Sequence, residues 1–214
     1  MREINGVPVR DSLAELVEKS TTALLIVDVQ NDFCHPDGHF ARHGKNITTI
    51  QAMLPRLVDF VSEAQSLGVR CAFVQQATLP DGKSDSPAWL RFKTRDGKSP
   101  DYTLPGSWGW QLVDGLTPAP RDWRVEKFRP DGFVNTTLDG LLRAARIESV
   151  IVLGTITEGC VESTVRGASY RDYYTIVGSD LIASPNAINH EGSMALFRAR
   201  YPLATAAELL ACWR

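Results

Sequence analysis

The chain has 214 residues, 43% of them hydrophobic, and a formal net charge of −2, which suits one domain with a full core. No apolar run reaches the roughly 18 residues of a membrane span, and the opening Met1-Arg2-Glu3-Ile4-Asn5 holds no signal core, so a cytoplasmic chain with no membrane partner is expected. No dense Lys/Arg run offers the phosphate neutralisation that nucleic-acid binding requires, which sets nucleic acid aside as a partner.

Ser12 and Glu15 fit a capping box that opens a short helix within an N-terminal extension, residues 1–22. Residues 23–29 are apolar apart from Asp28, the pattern of a strand covered on both faces. Ile50, Leu54, Leu57, Val58, Val61 and Ala64 repeat at helical spacing, with Pro55 predicting a kink and Gly68 the stop. A strand over 69–75 follows. Residues 78–120 are rich in Pro, Gly, Asp and Ser with little periodicity, and read as a long excursion that carries substrate or interface contacts. Then come a strand over 123–126, a helix over 136–146 capped by Asn135, a strand over 149–153, a helix over 160–170, a strand over 174–178, a helix over 190–199, and a short terminal strand and helix. Alternating strands and helices imply parallel pairing through right-handed crossovers. The predicted fold is one three-layer α/β/α domain over 1–214 with a mainly parallel, Rossmann-like six-stranded sheet.

Ligands of such sheets bind beyond the carboxyl ends of the strands, which gives Asp28, Lys127 and Cys160 a common address. Asp28 sits among Leu24, Leu25, Ile26, Val27 and Val29, a poor place for a carboxylate without a cation, and Lys127 is the natural partner. Cys160 follows an apolar strand and opens a helical pattern, where free N–H groups and the helix dipole favour a thiolate at neutral pH. Asp28 can then take the thiol proton and return it to a leaving amine while Lys127 keeps Asp28 ionised. Cys71 and Cys212 read as small buried hydrophobes, Cys34 stays open between packing and the cleft, and no disulfide framework is expected. His35, His39 and His43 are regularly spaced, but Pro36, Gly38 and Gly44 interrupt any helix that would align them, so they read as a surface loop and not a metal cluster. The glycine pattern of a phosphate loop or dinucleotide site is missing after Gly154, and no cofactor or metal is expected.

Leu25-Ile26-Val27-Asp28-Val29-Gln30-Asn31-Asp32-Phe33, Glu126-Lys127-Phe128 and Gly154-Thr155-Ile156-Thr157-Glu158-Gly159-Cys160-Val161-Glu162-Ser163-Thr164 resemble, in that order, segments of the isochorismatase-like cysteine hydrolases. The resemblance implies that family's fold from about residue 23 onward, with its Asp, Lys and Cys triad on Asp28, Lys127 and Cys160. It also implies a cis peptide between Thr155 and Ile156, with the N–H groups of Ile156 and Cys160 aimed at a developing oxyanion. The cysteine implies amide or carbamoyl C–N hydrolysis through a covalent intermediate. Where nicotinamidases of the family place the Asp-x-His segment of a metal site, this chain reads Gln75-Gln76-Ala77-Thr78. Gly106-Ser107-Trp108-Gly109-Trp110 and Lys127-Phe128-Arg129-Pro130-Asp131-Gly132 are similar to the ureidoacrylate amidohydrolase branch, with the biuret hydrolases beside it. That implies a small ureido or carbamoyl substrate with ammonia release. Gln76, where Asn is common, and Glu158, where Asn or Asp is common, depart from the pattern.

Asn31, Phe33, Gln76 and Glu158 are the substrate-binding candidates. Glu158 reads equally as a carboxylate stabilising the helix start. The stretch 89–95 offers a carboxylate-binding cation, although Lys93 and Arg95 read more simply as a solvated face. A nicotinamide- or maleamate-type amidase, or a catalytically silent binding module, stays open as an alternative. Relatives of this fold assemble as homodimers or tetramers, and the Trp-bearing loop has the reach to meet a neighbouring subunit.

Overall fold

The computed structural model describes residues 1–95, 97 and 99–214. Asp96 and Lys98, inside the predicted excursion, lie outside the described residues. Strands β1 (Arg2–Ile4) and β2 (Val7–Val9) form an antiparallel hairpin turned by Asn5 and Gly6, both at positive φ. The Asn-Gly pair is the standard sequence signal for such a turn, and the expected extension, given only a short helix, lacks it. Helix α1 (Leu13–Leu16) carries the capping box of Ser12 and Glu15.

The main domain runs β3 (Thr22–Val27), α2 (Asn31–Cys34), α3 (His39–Arg42), α4 (Thr48–Ser66), β4 (Arg70–Gln76), α5 (Pro87–Lys93), β5 (Trp123–Lys127), α6 (Leu138–Ala144), β6 (Ser149–Thr155), α7 (Glu162–Ser169), β7 (Tyr174–Ala183), α8 (Ala187–Arg200), β8 (Leu203–Ala204) and α9 (Ala206–Trp213). The sheet has six strands in the order β5-β4-β3-β6-β7-β8, every neighbour parallel. From β3 the chain winds outward through β4 and β5; from β6 it winds the other way through β7 and β8. Right-handed crossovers in opposite directions place α4 and α7 on opposite faces. All six residues of β3 and all seven of β6 are buried, since both faces are covered. On α4, Ile50, Met53, Leu57, Phe60, Val61 and Ala64 form the buried stripe.

Several elements depart from the expected bounds. Asn135 does not cap α6: it takes the left-handed conformation at φ 55° in the turn before it, which asparagine tolerates better than most residues. The helix expected over 160–170 is present as α7, Glu162–Ser169, but Cys160 itself lies in a π-helical turn, Thr157–Val161, that leads into it. β7 runs ten residues, past Gly178, because its pairing with β6 resumes after a register shift between Val152 and Gly154. The long excursion contains α5, whose first turn is capped by the Ser86 hydroxyl accepting from the Trp89 N–H at 3.2 Å.

The order of the sheet reverses between β3 and β6, and there Gly154 pairs with Val27, the residue before Asp28. Its φ is +117°, and a Cβ would lie 2.1 Å from the Val27 carbonyl oxygen. A side chain here would force apart the two strands that bracket the crevice. Gly154→Ala is expected to lose about 2–5 kcal/mol of stability from backbone strain and overpacking, measured by urea unfolding. A loss under ~1 kcal/mol would show that the strands accommodate the methyl group.

Candidate active site

Asp28 leaves β3 at φ 52°, a left-handed turn that brings its carboxylate across to the end of β4 and β5. Its N–H donates to the Val74 carbonyl at 2.9 Å, and its Oδ1 accepts from the Gln76 N–H at 2.8 Å. Lys127, the last residue of β5, places Nζ 2.8 Å from Asp28 Oδ2, with the lysine side chain fully buried and the aspartate 2% exposed. Lys127 also donates to Gln76 Oε1 at 3.1 Å and to the Arg129 carbonyl at 3.3 Å. Among the described residues, Oδ2 receives no directed hydrogen bond beyond this ion pair, which leaves lone-pair capacity for a proton.

Gln30 ties the same corner together. Its Oε1 accepts from the Gln76 N–H at 2.9 Å, and its Nε2 donates to the Gln76 and Trp110 carbonyls at 3.0 and 2.8 Å. The Thr155 hydroxyl donates to the Asp28 carbonyl at 2.9 Å, linking the ends of β3 and β6. The Thr155–Ile156 peptide bond is cis.

Cys160 sits half-buried in the π-helical turn after β6, facing Asp28 across the switch point. Burial pushes its thiol up to about 12, the Asp28 carboxylate adds to the rise, and Lys127 opposes it. The site therefore rests as a thiol beside a carboxylate, where the sequence suggested a standing thiolate. For Lys127, burial is the largest single influence and disfavours the charged form, but the Asp28 carboxylate and Cys160 together outweigh it and the ammonium is held above its ordinary range. Lysine, aspartate and protonated cysteine form one coupled unit.

Cys160 and Asp28 open onto a cavity of about 190 Å³ that Thr155, Ile156, Phe33 and Gln76 also line. Lys127 stands behind Asp28 and does not line it. Two candidates are turned elsewhere. The Asn31 amide donates to the Trp108 carbonyl at 2.9 Å, and Glu158 Oε1 accepts from the Ser184 hydroxyl at 2.9 Å, so neither reaches the cavity. Cys34 is fully buried and packs beneath Asp28 and Thr155, where burial pushes its thiol up to about 12.

The long excursion supplies the outer wall. Trp89, Phe92, Tyr102 and Arg95 line the cavity, joined by His39 and Phe40 from α3. Lys93 is not solvated: its side chain is fully buried, 2.8 Å from Asp85 Oδ2 and 3.1 Å from the Thr78 hydroxyl. His39 is not on a surface loop either. It is 7% exposed and stacks on His43 at 4.0 Å, because α3 forms a single turn despite the flanking glycines. Among the described residues no group of three or more His, Cys, Asp or Glu is arranged to hold a metal ion. Tyr102 and the other aromatic wall residues carry no sequence signal, since aromatic residues in an aperiodic segment fit a surface loop equally well.

An isochorismatase domain model matches residues 22–208. The ureidoacrylate amidohydrolase RutB of Methylorubrum extorquens is 33% identical over 189 residues, covering 83% of this chain and 76% of the relative. Among solved structures, a cysteine hydrolase from Pseudomonas syringae pv. phaseolicola superposes with a TM-score of 0.79 at 24% identity, over 92% of this chain and 94% of that one. The N-carbamoylsarcosine amidase of Thermoplasma acidophilum gives a TM-score of 0.68 at 24% identity, over 88% of this chain and 98% of that one.

Two predictions test this geometry. Lys127→Met leaves a buried carboxylate uncompensated and is expected to cost roughly 3–5 kcal/mol, while the double variant with Asp28→Asn recovers about 1 kcal/mol or more relative to the sum of the singles. Urea unfolding of the cycle measures both; strict additivity would mean the pair is uncoupled. Cys160 is expected to react with iodoacetamide faster than the fully buried Cys34 and Cys71, at a rate that climbs about tenfold per pH unit between roughly pH 7 and 9, because only the thiolate attacks and its pKa is raised. A rate flat above neutral pH would show a preformed thiolate.

Proposed function

The chain belongs to the isochorismatase family, and on that footing we propose that it is a metal-independent cysteine amidohydrolase acting on a small ureido, carbamoyl or amide substrate. The observation that carries this reading is the buried Asp28–Lys127 ion pair, set 2.8 Å apart behind a cavity onto which both Asp28 and Cys160 open. A structural ion pair has no need of a cavity and a thiol beside it. The RutB relative is a ureidoacrylate amidohydrolase by name, which supports a ureido substrate over other amides.

The steps follow from the resting protonation state. Asp28 takes the Cys160 proton as the sulfur attacks the substrate carbonyl carbon, so charge moves from carboxylate to sulfur to the carbonyl oxygen without a free thiolate standing in a buried site. Lys127 remains an ammonium throughout and limits the cost of moving that charge. The backbone N–H groups of Ile156 and Cys160, at the cavity wall, receive the oxyanion; one such donor is typically worth about 10²–10³ in rate. Collapse of the tetrahedral adduct breaks the C–N bond, and Asp28 returns the proton to the leaving nitrogen. Water, deprotonated by Asp28, then attacks the thioester-like carbonyl; the C–S bond breaks, and Asp28 returns that proton to the departing Cys160 sulfur, restoring the thiol and the carboxylate. No step is assigned to a metal because the segment after β4 offers none of the usual charged ligands. The Gln75 amide donates to the Trp110 carbonyl at 3.0 Å, the Gln76 amide to the Ala77 carbonyl at 3.0 Å, and Thr78 accepts from Lys93.

Cys160→Ala is expected to abolish ammonia release from ureidoacrylate, biuret or whichever ureido compound the wild-type chain hydrolyses, a drop of ~10³-fold or more, with thermal unfolding nearly unchanged. Intact-mass spectrometry of wild-type enzyme quenched during turnover is expected to show an acyl adduct on Cys160. A variant that keeps its rate would rule out covalent catalysis, and strong turnover of nicotinamide alone would overturn the ureido reading.

A further inference from the structure

Beyond Asp28 the chain buries a second acid that the chemistry at Cys160 does not use. This is Asp32, in α2, with its side chain 7% exposed. Its Oδ1 accepts from the His39 N–H at 3.2 Å, and its Oδ2 from the Thr103 N–H at 2.6 Å. Its own N–H donates to the Gly109 carbonyl at 2.9 Å. Among the described residues, Arg42 Nη2 is the cationic group within 4 Å of it, at 3.9 Å on an exposed side chain, a contact of little worth. Burial of the Asp32 carboxylate is therefore offset chiefly by two backbone N–H groups, in charge-assisted bonds roughly twice as strong as neutral ones.

Those N–H groups belong to two segments far apart in sequence that meet at the cavity. His39 opens α3 and lines the wall with Phe40; Thr103 follows Tyr102, which lines it from the long excursion. Phe33, next to Asp32, joins the same two segments from the cavity side. Its ring centre lies 4.9 Å from that of Phe40 and 5.8 Å from that of Tyr102, and the rings of His39 and Tyr102 are 4.8 Å apart. This part of the wall is an aromatic cluster with one carboxylate behind it. Thr103 takes φ 51°, and its carbonyl accepts from the Thr78 N–H at 3.1 Å, which ties the turn presenting Tyr102 to the segment after β4.

The place requires a carboxylate. Both of its oxygens accept, whereas an asparagine of the same size offers one oxygen and turns an N–H2 group toward the other backbone N–H. A buried donor is then left without a partner. The space is closed as well, since a Cβ on Gly109 would lie 2.3 Å from Asp32 Cγ. From this arrangement we infer that Asp32 is a positioning residue of the cavity: by holding the His39 and Thr103 N–H groups together it sets His39, Phe40 and Tyr102 as one wall, and it acts on substrate binding through them. The effect on substrate rests on the amidohydrolase reading; the effect on the wall does not.

Asp32→Asn and Gly109→Ala are compared with the wild-type chain, the second pressing on the carboxylate without removing its charge. With ureidoacrylate, each is expected to raise KM about tenfold and to leave kcat within about threefold, because the wall loosens while Asp28, Lys127 and Cys160 stay in place. Alkylation of Cys160, followed by peptide mass spectrometry, separates this from a general loss of structure. Iodoacetamide is expected to react within about twofold of its wild-type rate, a bulky pyrene maleimide to gain several-fold relative to it, and the buried Cys34 and Cys71 to stay unlabelled. Should Asp32→Asn not fold, Gly109→Ala gives the same readings. A fall in kcat at unchanged KM, or an unchanged ratio of bulky to small reagent in a folded variant, would overturn the assignment. Wild-type turnover of ureidoacrylate with both variants kinetically normal would keep the amidohydrolase and end the positioning role. No turnover by the wild-type chain, with the reagent ratio raised in the variants, would remove the ureido substrate and leave Asp32 holding the wall.

Discussion

Everything at this site depends on one buried ion pair. A carboxylate and an ammonium moved out of water each lose several kcal/mol of solvation, and their attraction offsets this only when geometry and further hydrogen bonds are right. The chain meets that condition from three strand ends. Asp28 is held by its own left-handed turn and by the Gln76 N–H, Lys127 by Gln76 Oε1 and the Arg129 carbonyl, and Gln30 clamps Gln76 in place. A replacement by packed hydrophobes would serve stability as well or better. The retained pair is therefore best understood through what lies beside it, which is a cavity onto which both Asp28 and Cys160 open.

The sheet decides where that acceptor can be used. Because the strand order reverses between β3 and β6, their carboxyl ends diverge and leave a crevice, with Asp28 on one side and Cys160 on the other. Gly154 lets the two strands approach closely just below it. The raised thiol pKa is consistent with this placement: the sulfur is partly buried beside an anion, and both burial and the Asp28 carboxylate favour the protonated form. A protonated thiol is also protected, since thiolate character governs oxidation.

The outer wall follows a different logic from the base. The base is built from strand ends and is rigid; the wall comes from α3 and from the excursion after β4, held by a second buried pair, Lys93–Asp85. Such a division puts the buried ion pair on the scaffold and the cavity wall on the connecting segments.

By itself the sequence determined the alternation of elements, the six strands of the sheet, the capping box at Ser12, and the convergence of Asp28, Lys127 and Cys160. Each of these follows from local chemistry: apolar periodicity marks the strands, and a charge inside an apolar run demands a partner. The end of a parallel strand then tells where that charge must face. Tertiary structure decided what local chemistry leaves open. It turned Asn31 and Glu158 away from the cavity, since each found a nearer hydrogen-bond partner in Trp108 and Ser184. Lys93 went into the interior because Asp85 and Thr78 were there to meet it, and Tyr102, His39 and Phe40 came into the wall from aperiodic segments. The protonation of Cys160 belongs to the same class, because burial and the distance to a carboxylate are properties of the folded chain. A helix-start position in sequence contains neither.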